Sequence, residues 1–367
     1  MQNDLVRRTN RLSVFRLLLA HAELTRAELA RETGLSVPTV ATIVGEFADL
    51  GLVGVGEAEP RGGRPAQLVR LEPRARSALS VDLSGAAAGA ALADLRGELR
   101  PLPSGPALGK GCEGALLGWL EHTLQGLPGE NVARLAVAVP GVVNPKDGHV
   151  RLATALGWSD YALSDAFGRF GLKVVLENDV NALALAERTR HDPAGFQDVL
   201  FVRVGRGIGA SVFVGGTLYR GARSAAGEIG YSRLPNLGGD LKLGEPGPLE
   251  AHLLGLAESF TGSDGKLVLE TAGAERAFAA FADTFGLVLH NLVCLLNPQR
   301  VVVSYPADPG ALLVQALKSS WRGPLEVAFA PSYPDEHAAL RGVAQVALES
   351  LTRDLCASPA KPAGRPS

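Results

Sequence analysis

Residues 25–36 constrain this chain's fold more than any other stretch, because they carry the start, stop and restart of two helices. Thr25 and Glu28 form a Thr-x-x-Glu capping box, which predicts a helix from Thr25 to Thr33. Gly34 then stops that helix, since glycine enters a left-handed turn without a Cβ clash. Ser36 caps the next helix, in which Val40, Ile43, Val44, Phe47 and Leu50 recur at helical spacing and face inward. Two helices joined through a tight glycine turn make a helix-turn-helix unit.

The flanks complete a small domain over residues 1–73. Asn10 to His21 predicts a preceding helix, with Leu12, Phe15, Leu18 and Leu19 on one face. After Gly51, the apolar runs Leu52-Val53-x-Val55 and Leu68-Val69-x-Leu71 enclose the turn Arg61-Gly62-Gly63-Arg64-Pro65, the pattern of a wing hairpin. The outward face of the third helix carries Ser36, Thr39, Ala41 and Thr42, and no Arg or Lys occurs between Arg31 and Arg61. A bidentate arginine–guanine contact is therefore unavailable from that helix. Ser36, Thr39 and Thr42 remain for hydroxyl and methyl contacts, with Arg61 and Arg64 for phosphate or a minor groove. Residues 1–75 hold ten Arg and no Lys against nine Asp plus Glu. So near-neutral a head implies modest, salt-sensitive DNA affinity that relies on dimerisation. The alternative is a small helical dimerisation module.

The whole chain has a formal charge of −2 and 46% hydrophobic residues, which describes a globular protein whose DNA contacts must be local. Cys112, Cys294 and Cys356 are scattered and odd in number, so neither a disulfide framework nor a cysteine metal site is expected, in keeping with a cytoplasmic location. Two apolar runs invite a membrane reading. Leu12–Ala20 is broken by Arg16 and lacks a cleavage site, while Phe281–Leu296 contains Asp283, His290 and Asn291 and reads as a core helix. Residues 356–367, with three prolines and no apolar period, read as a disordered tail.

From Ala78 the texture changes. Ala78–Leu83, Ala87–Ala93 and a segment near Leu99 read as a strand meander, followed by a helix over Glu113–Leu124. Arg134–Val139 and Lys173–Leu176 read as buried strands, the second leading into a helix at Val180–Arg188. The strands Val199–Val204, Gly209–Val214 and Thr217–Tyr219 repeat the meander, which predicts an α/β body of two related lobes. The expected lobes span residues 76–196 and 197–336, with a C-terminal helix near 337–352 packing back on the first.

Four motifs then occur in a familiar order. They are Pro140-Gly141 after a strand, Glu177-Asn178-Asp179-Val180-Asn181-Ala182 at a strand-to-helix turn, Gly205-Arg206-Gly207-Ile208-Gly209, and Arg220-Gly221 leading to Ala226-Gly227-Glu228-Ile229-Gly230. Residues 76 to about 350 thereby resemble the ROK family of repressors and sugar kinases, and the head resembles the winged helix of its repressor branch. The resemblance implies an α/β body with the two-lobed actin-like ATPase (ribonuclease H-like) sugar-kinase fold. It makes Asp179 the position of the kinase base and places Asn178, Asp179, Glu228 and Glu250 against sugar hydroxyls. A plain alternative for Asp179 is that it caps the helix from Val180.

Against the same family pattern, the nucleotide and metal equipment is altered. Asp82-Leu83-Ser84-Gly85-Ala86 stands where the kinases carry Asp-x-Gly-Gly-Thr, Arg206 replaces a threonine, and Tyr305-Pro306-Ala307-Asp308-Pro309 replaces a glycine-rich turn. Ser84 adds a side chain where backbone must approach phosphate, and Ala86 removes a hydroxyl. Tyr231, Leu241, Leu243 and Pro248 stand at the four positions of the family's structural zinc ligands, and none offers a thiolate or imidazole. Ala155 and Tyr231 also replace two polar sugar contacts, so an ordinary hexose is expected to bind poorly. Either the ligand is bulkier or less polar, or the pocket is structural.

These readings converge on a cytoplasmic, dimeric, DNA-binding transcriptional regulator, a repressor, using no cofactor or metal and sensing a sugar-derived effector. Two rivals are an active ROK sugar kinase, transferring phosphate from ATP to a hexose, and a ligand-independent DNA-binding dimer.

Overall fold

The computed structural model describes residues 2–57, 67–235, 245–308, 311–322 and 325–357. The head comprises α1 (Gln2–Ala20), β1 (Glu23–Thr25), α2 (Arg26–Thr33), α3 (Val37–Asp49), β2 (Val53–Glu57) and β3 (Gln67–Leu71). Thr25 closes the reciprocal capping box with Glu28, Gly34 ends α2 at φ +70°, and the Ser36 hydroxyl accepts from the Thr39 amide to start α3. Each signal acts where the sequence puts it. Two details correct the expectation. α1 begins at Gln2 instead of Asn10, and the short β1 joins the wing, giving a sheet ordered β1-β3-β2. Three residues between two helices carry too little periodicity to announce a strand.

The first lobe contains β4 (Ser77–Asp82), β5 (Gly89–Asp94), β6 (Leu99–Leu102), α4 (Glu113–Gln125), β7 (Val132–Val139), β8 (Val142–Asn144), β9 (His149–Ala153), β10 (Trp158–Tyr161), α5 (Leu163–Gly168), β11 (Lys173–Asn178) and α6 (Asp179–Arg188). The second contains β12 (Val199–Val204), β13 (Ile208–Val214), β14 (Thr217–Tyr219), α7 (Pro248–Glu258), α8 (Ala272–Leu296), β15 (Arg300–Ser304), α9 (Leu312–Ser320) and β16 (Ala328–Ser332), and α10 (Ala338–Ala357) follows. The two large sheets run β11-β7-β4-β5-β6 and β14-β13-β12-β15-β16. In each, an antiparallel meander is extended by two parallel strands. The repeat of texture in the sequence is thus a repeat of topology. A separate antiparallel sheet, β10-β9-β8, escaped the sequence reading because its strands are short and mixed in polarity.

One face of the first sheet packs on α4 and α5 through Leu116, Leu120, Leu163 and Phe167. Its other face, α10 and the head form one continuous apolar core that joins Phe15, Leu18 and Phe47 to Ala136, Val343 and Leu351. α10 extends to Ala357, so Cys356 and Ala357 belong to a helix and not to the tail, whose remaining residues lie outside those described. In the second lobe, α8 is long and apolar enough to cross a membrane, but Phe278, Phe281, Phe285, Leu289 and Val293 pack one of its faces into that lobe's core.

Candidate functional site

The site begins where β11 turns into α6. Asn178, not Asp179, is the N-cap of α6, because its side-chain oxygen accepts from the Asn181 amide at 3.0 Å. The Asn178 side-chain Nδ2 donates to the Gly141 carbonyl at 2.9 Å and to Asp179 Oδ1 at 3.2 Å. Both of its hydrogens therefore already have partners inside the protein, and a ligand hydroxyl must displace one to be recognised here.

Asp179 is the first residue of α6 and shares its surroundings with Asp82 and Arg203. Burial first, and the Asp82 charge second, push its carboxyl up to about 7, against the opposing pull of the Val180 amide and Arg203. Asp82 is also raised by burial, although Ser84 donates to Asp82 Oδ1 from both its amide (2.9 Å) and its hydroxyl (2.7 Å). Ser84 thus directs both of its donors at one oxygen of Asp82. Arg203, held down by burial and supported by Asp179 and Asp82, donates to Ser304 Oγ at 2.8 Å. Arg206 reaches from the loop between β12 and β13 to the Gly85 carbonyl of the first lobe, 3.0 Å away.

The other two expected ligand residues form a separate pair. Burial and the nearby Glu250 charge both raise the Glu228 carboxyl. Glu250 Oε2 accepts the Ile208 amide at 2.8 Å, which fixes it beneath the glycine-rich loop. Asp179 therefore feels Asp82 and Arg203, whereas Glu228 feels Glu250.

A third polar network is built from Glu177, Asn181 and Arg220, which the motifs contain without assigning them a role, and from Ser211. Glu177 is 1% exposed and receives Arg220 at Oε2, while its Oε1 accepts from the Asn178 amide and the Asn181 side chain. Ser211 in turn donates to Asn181 at 2.8 Å. This chain of bonds joins β11 and α6 of the first lobe to β13 and Arg220 of the second. Its signal was a run of polar residues ending an otherwise apolar strand, just as Arg203 interrupts apolar β12.

After β15, Tyr305 and Asp308 of the segment expected to replace a glycine-rich turn both pack inward. Tyr305 is buried and stacks on Phe281 with ring centroids 5.9 Å apart. Asp308, 4% exposed, accepts the Leu312 and Leu313 amides at 2.9 and 2.7 Å. A carboxylate of the chain itself thereby occupies the N-terminus of α9, the position where an anion would be favoured. The cavity left there is about 10 Å³, room for about one water. Tyr231 and Pro248 offer no zinc donor, Leu241 and Leu243 lie outside the described residues, and among those described no cluster of three His, Cys, Asp or Glu could hold a metal. The residues present do not fit the family's zinc.

In the head, Ser36 Oγ lies 2.8 Å from Thr39 Oγ1, and the Thr42 hydroxyl donates to the Pro38 carbonyl at 3.1 Å. Thr42 is left with its methyl and oxygen lone pairs for a partner. Thr39 and Thr42 line a groove of about 360 Å³ whose other wall is Val6, Arg7 and Asn10 of α1. Val6 and Arg7 were missed because the helix was expected to start at Asn10. Arg61 and Arg64 lie outside the described residues.

The ROK family pattern matches residues 79–322. The chain belongs to the ROK family. A winged helix-turn-helix DNA-binding pattern matches residues 7–53 of the same ROK chain. The xylose repressor of Bacillus subtilis (strain 168) is 24% identical over 319 residues, 81% of this chain and 82% of the repressor. A solved ROK family transcriptional regulator, a homologue of the E. coli MLC protein, superposes with a TM-score of 0.75 at 20% identity, over 96% of this chain and 98% of that one. A ROK family glucokinase from Streptomyces griseus, solved with glucose and AMPPNP, covers 74% of this chain and 98% of its own, with a TM-score of 0.58 at 22% identity. The fold is thus a winged head on a ROK sugar-kinase-like body, as the motifs implied.

Proposed function

We propose that this protein is a cytoplasmic DNA-binding repressor whose body senses a sugar-derived molecule without phosphorylating it. The observation that carries this reading is Asp308, whose carboxylate caps α9 and closes the nucleotide side from within. Tyr305 and the Ser84–Asp82 contacts act in the same sense. The effector would lie near Asn178, Asp179 and Glu228, with Glu250 holding the loop beneath it. Ser36, Thr39, Thr42, Arg61 and Arg64 would meet operator DNA, and a homodimer would present two heads to a two-fold site. An effector acts only through a difference in affinity between two states of the protein. The test is selection of duplexes from a random-sequence pool by the full-length protein, followed by footprinting with a panel of monosaccharides. A protected two-fold site released by one sugar is the expected result, and failure to select any duplex sinks the reading.

One observation favours a sugar kinase instead. A carboxyl near 7, as at Asp179, is well placed to take a proton from a hydroxyl at neutral pH. On that reading ADP appears with ATP and a hexose, and Asp179→Asn abolishes it. We expect no ADP across the panel.

A further inference from the structure

Resting on the regulator reading above, we propose that Arg11 is a positioning residue that sets the DNA-reading helix α3 in register with α10, and through α10 with the α6 end of the effector site. Arg11 is 1% exposed. Its Nη1 donates to Glu46 Oε2 of α3 at 2.5 Å, its Nη2 donates to the Leu355 carbonyl of α10 at 2.8 Å, and its guanidinium lies 5.2 Å from the centre of the Phe47 ring. Arg7 pairs with the other oxygen of Glu46. One side chain therefore touches the third helix of the head and the last helix of the body.

Apolar packing would hold the head to the body without any buried charge. Burying a guanidinium is costly, and a well-packed apolar side chain often stabilises as much or more. What the planar fork adds is geometry, since two N–H groups in fixed relation bind two acceptors on different elements and set their spacing. The Leu355 carbonyl is main chain, so a shift of α10 along its axis moves the acceptor directly.

The other end of α10 has a similarly unyielding contact. Gly342 lies so close to α6 that a Cβ there would come within 1.7 Å of the Ala182 carbonyl. Ala182 lies one turn beyond Asn178 and Asp179, the residues that open α6 beside the expected effector. A change at the start of α6 thus meets α10 backbone to backbone, and α10 meets α3 through Arg11. Val343, Ala347 and Leu351 of α10 pack in the core that contains Phe15 and Phe47, so the elements between these ends are in contact.

The test needs neither an identified effector nor an operator. Amide hydrogen exchange of residues 37–49 is measured in the full-length protein for wild type, Gly342→Ala, Arg11→Lys and the double variant. Lysine keeps the charge but loses the two-armed fork. The expected result is that Gly342→Ala speeds α3 exchange at least five-fold when Arg11 is present and less than two-fold when Arg11→Lys is combined with it. Equal acceleration in both backgrounds, or none in either, overturns the proposal. Should Gly342→Ala not fold, Val343→Ala perturbs the same helix by removing atoms, and the same comparison decides. The affinity of the selected duplex is measured in parallel. If α3 responds as expected but no duplex is ever selected, the linkage stands and the regulator reading falls. If a duplex is selected and α3 ignores α10, the regulator stands and the linkage falls.

Discussion

Arg220 directs both Nε and Nη2 at a single oxygen of Glu177, at 2.9 and 2.5 Å, and so ties the loop after β14 to the end of β11. Glu177 is 1% exposed, whereas Arg220 retains a third of its side-chain surface. Removing the arginine leaves a buried carboxylate facing only amides. We expect Arg220→Met to lower unfolding stability by about 3 kcal/mol. Adding Glu177→Gln should recover part of that loss, because it removes the stranded charge. Urea denaturation of the single and double variants provides the measurement, and additive losses would contradict the pairing.

Asp308→Ala removes the internal anion at the N-terminus of α9. The expected cost is about 1–2 kcal/mol, as for loss of a helix cap. Tyr305 still fills the space in that variant, so ATP should not raise its melting temperature. A rise on adding ATP would mean that Asp308 alone closes the nucleotide side.

The raised Asp179 carboxyl gives stability a sign with pH. Between the ordinary carboxylate range near 4 and about 7, the folded protein holds a proton that the unfolded chain has released. This group's contribution is therefore fully present at low pH and declines as pH rises through that window. Asp179→Asn should flatten the decline and leave the protein more stable at pH 7.5 relative to wild type than at pH 4. Parallel curves for the two proteins would place the Asp179 carboxyl in the ordinary range.

Binding of the selected duplex should weaken with salt. Arg61→Ala and Arg64→Ala should each lower the slope of log affinity against log salt by about 1, uniformly across sequences. Thr42→Val keeps a methyl and removes the oxygen lone pairs, so it should change affinity at a particular base position instead. Identical salt slopes in wild type and both arginine variants would remove Arg61 and Arg64 from the interface.

The fold was legible wherever a local rule leaves a mark. Thr25, Glu28, Gly34 and Ser36 state helix ends explicitly, and apolar runs such as Val199–Val204 state buried strands. Short β1 and β8–β10 were not legible, because pairing partners rather than local pattern make them strands. At the site, the motifs located Asn178, Asp179, Glu228 and Glu250 in the chain. They could not tell that Asn178 is the cap, or that Asp179 and Glu228 answer to different charges. The surroundings of Asp179 depend on Asp82, 97 residues before it, and Arg203, 24 residues after it, which meet it only after folding.

The core shared by α1, α3 and α10 has a consequence for how the protein comes into being. The head precedes α10 in the chain, yet Phe15 and Phe47 share their core with Val343 and Leu351, and Arg11 binds the Leu355 carbonyl. A growing chain emerges in order from the N-terminus, so α1 and α3 are made well before the α10 residues they pack against. Chains arrested before residue 338 should therefore display α1–α3 as protease-sensitive segments. Prematurely ended products would then be cleared instead of competing with finished molecules for DNA.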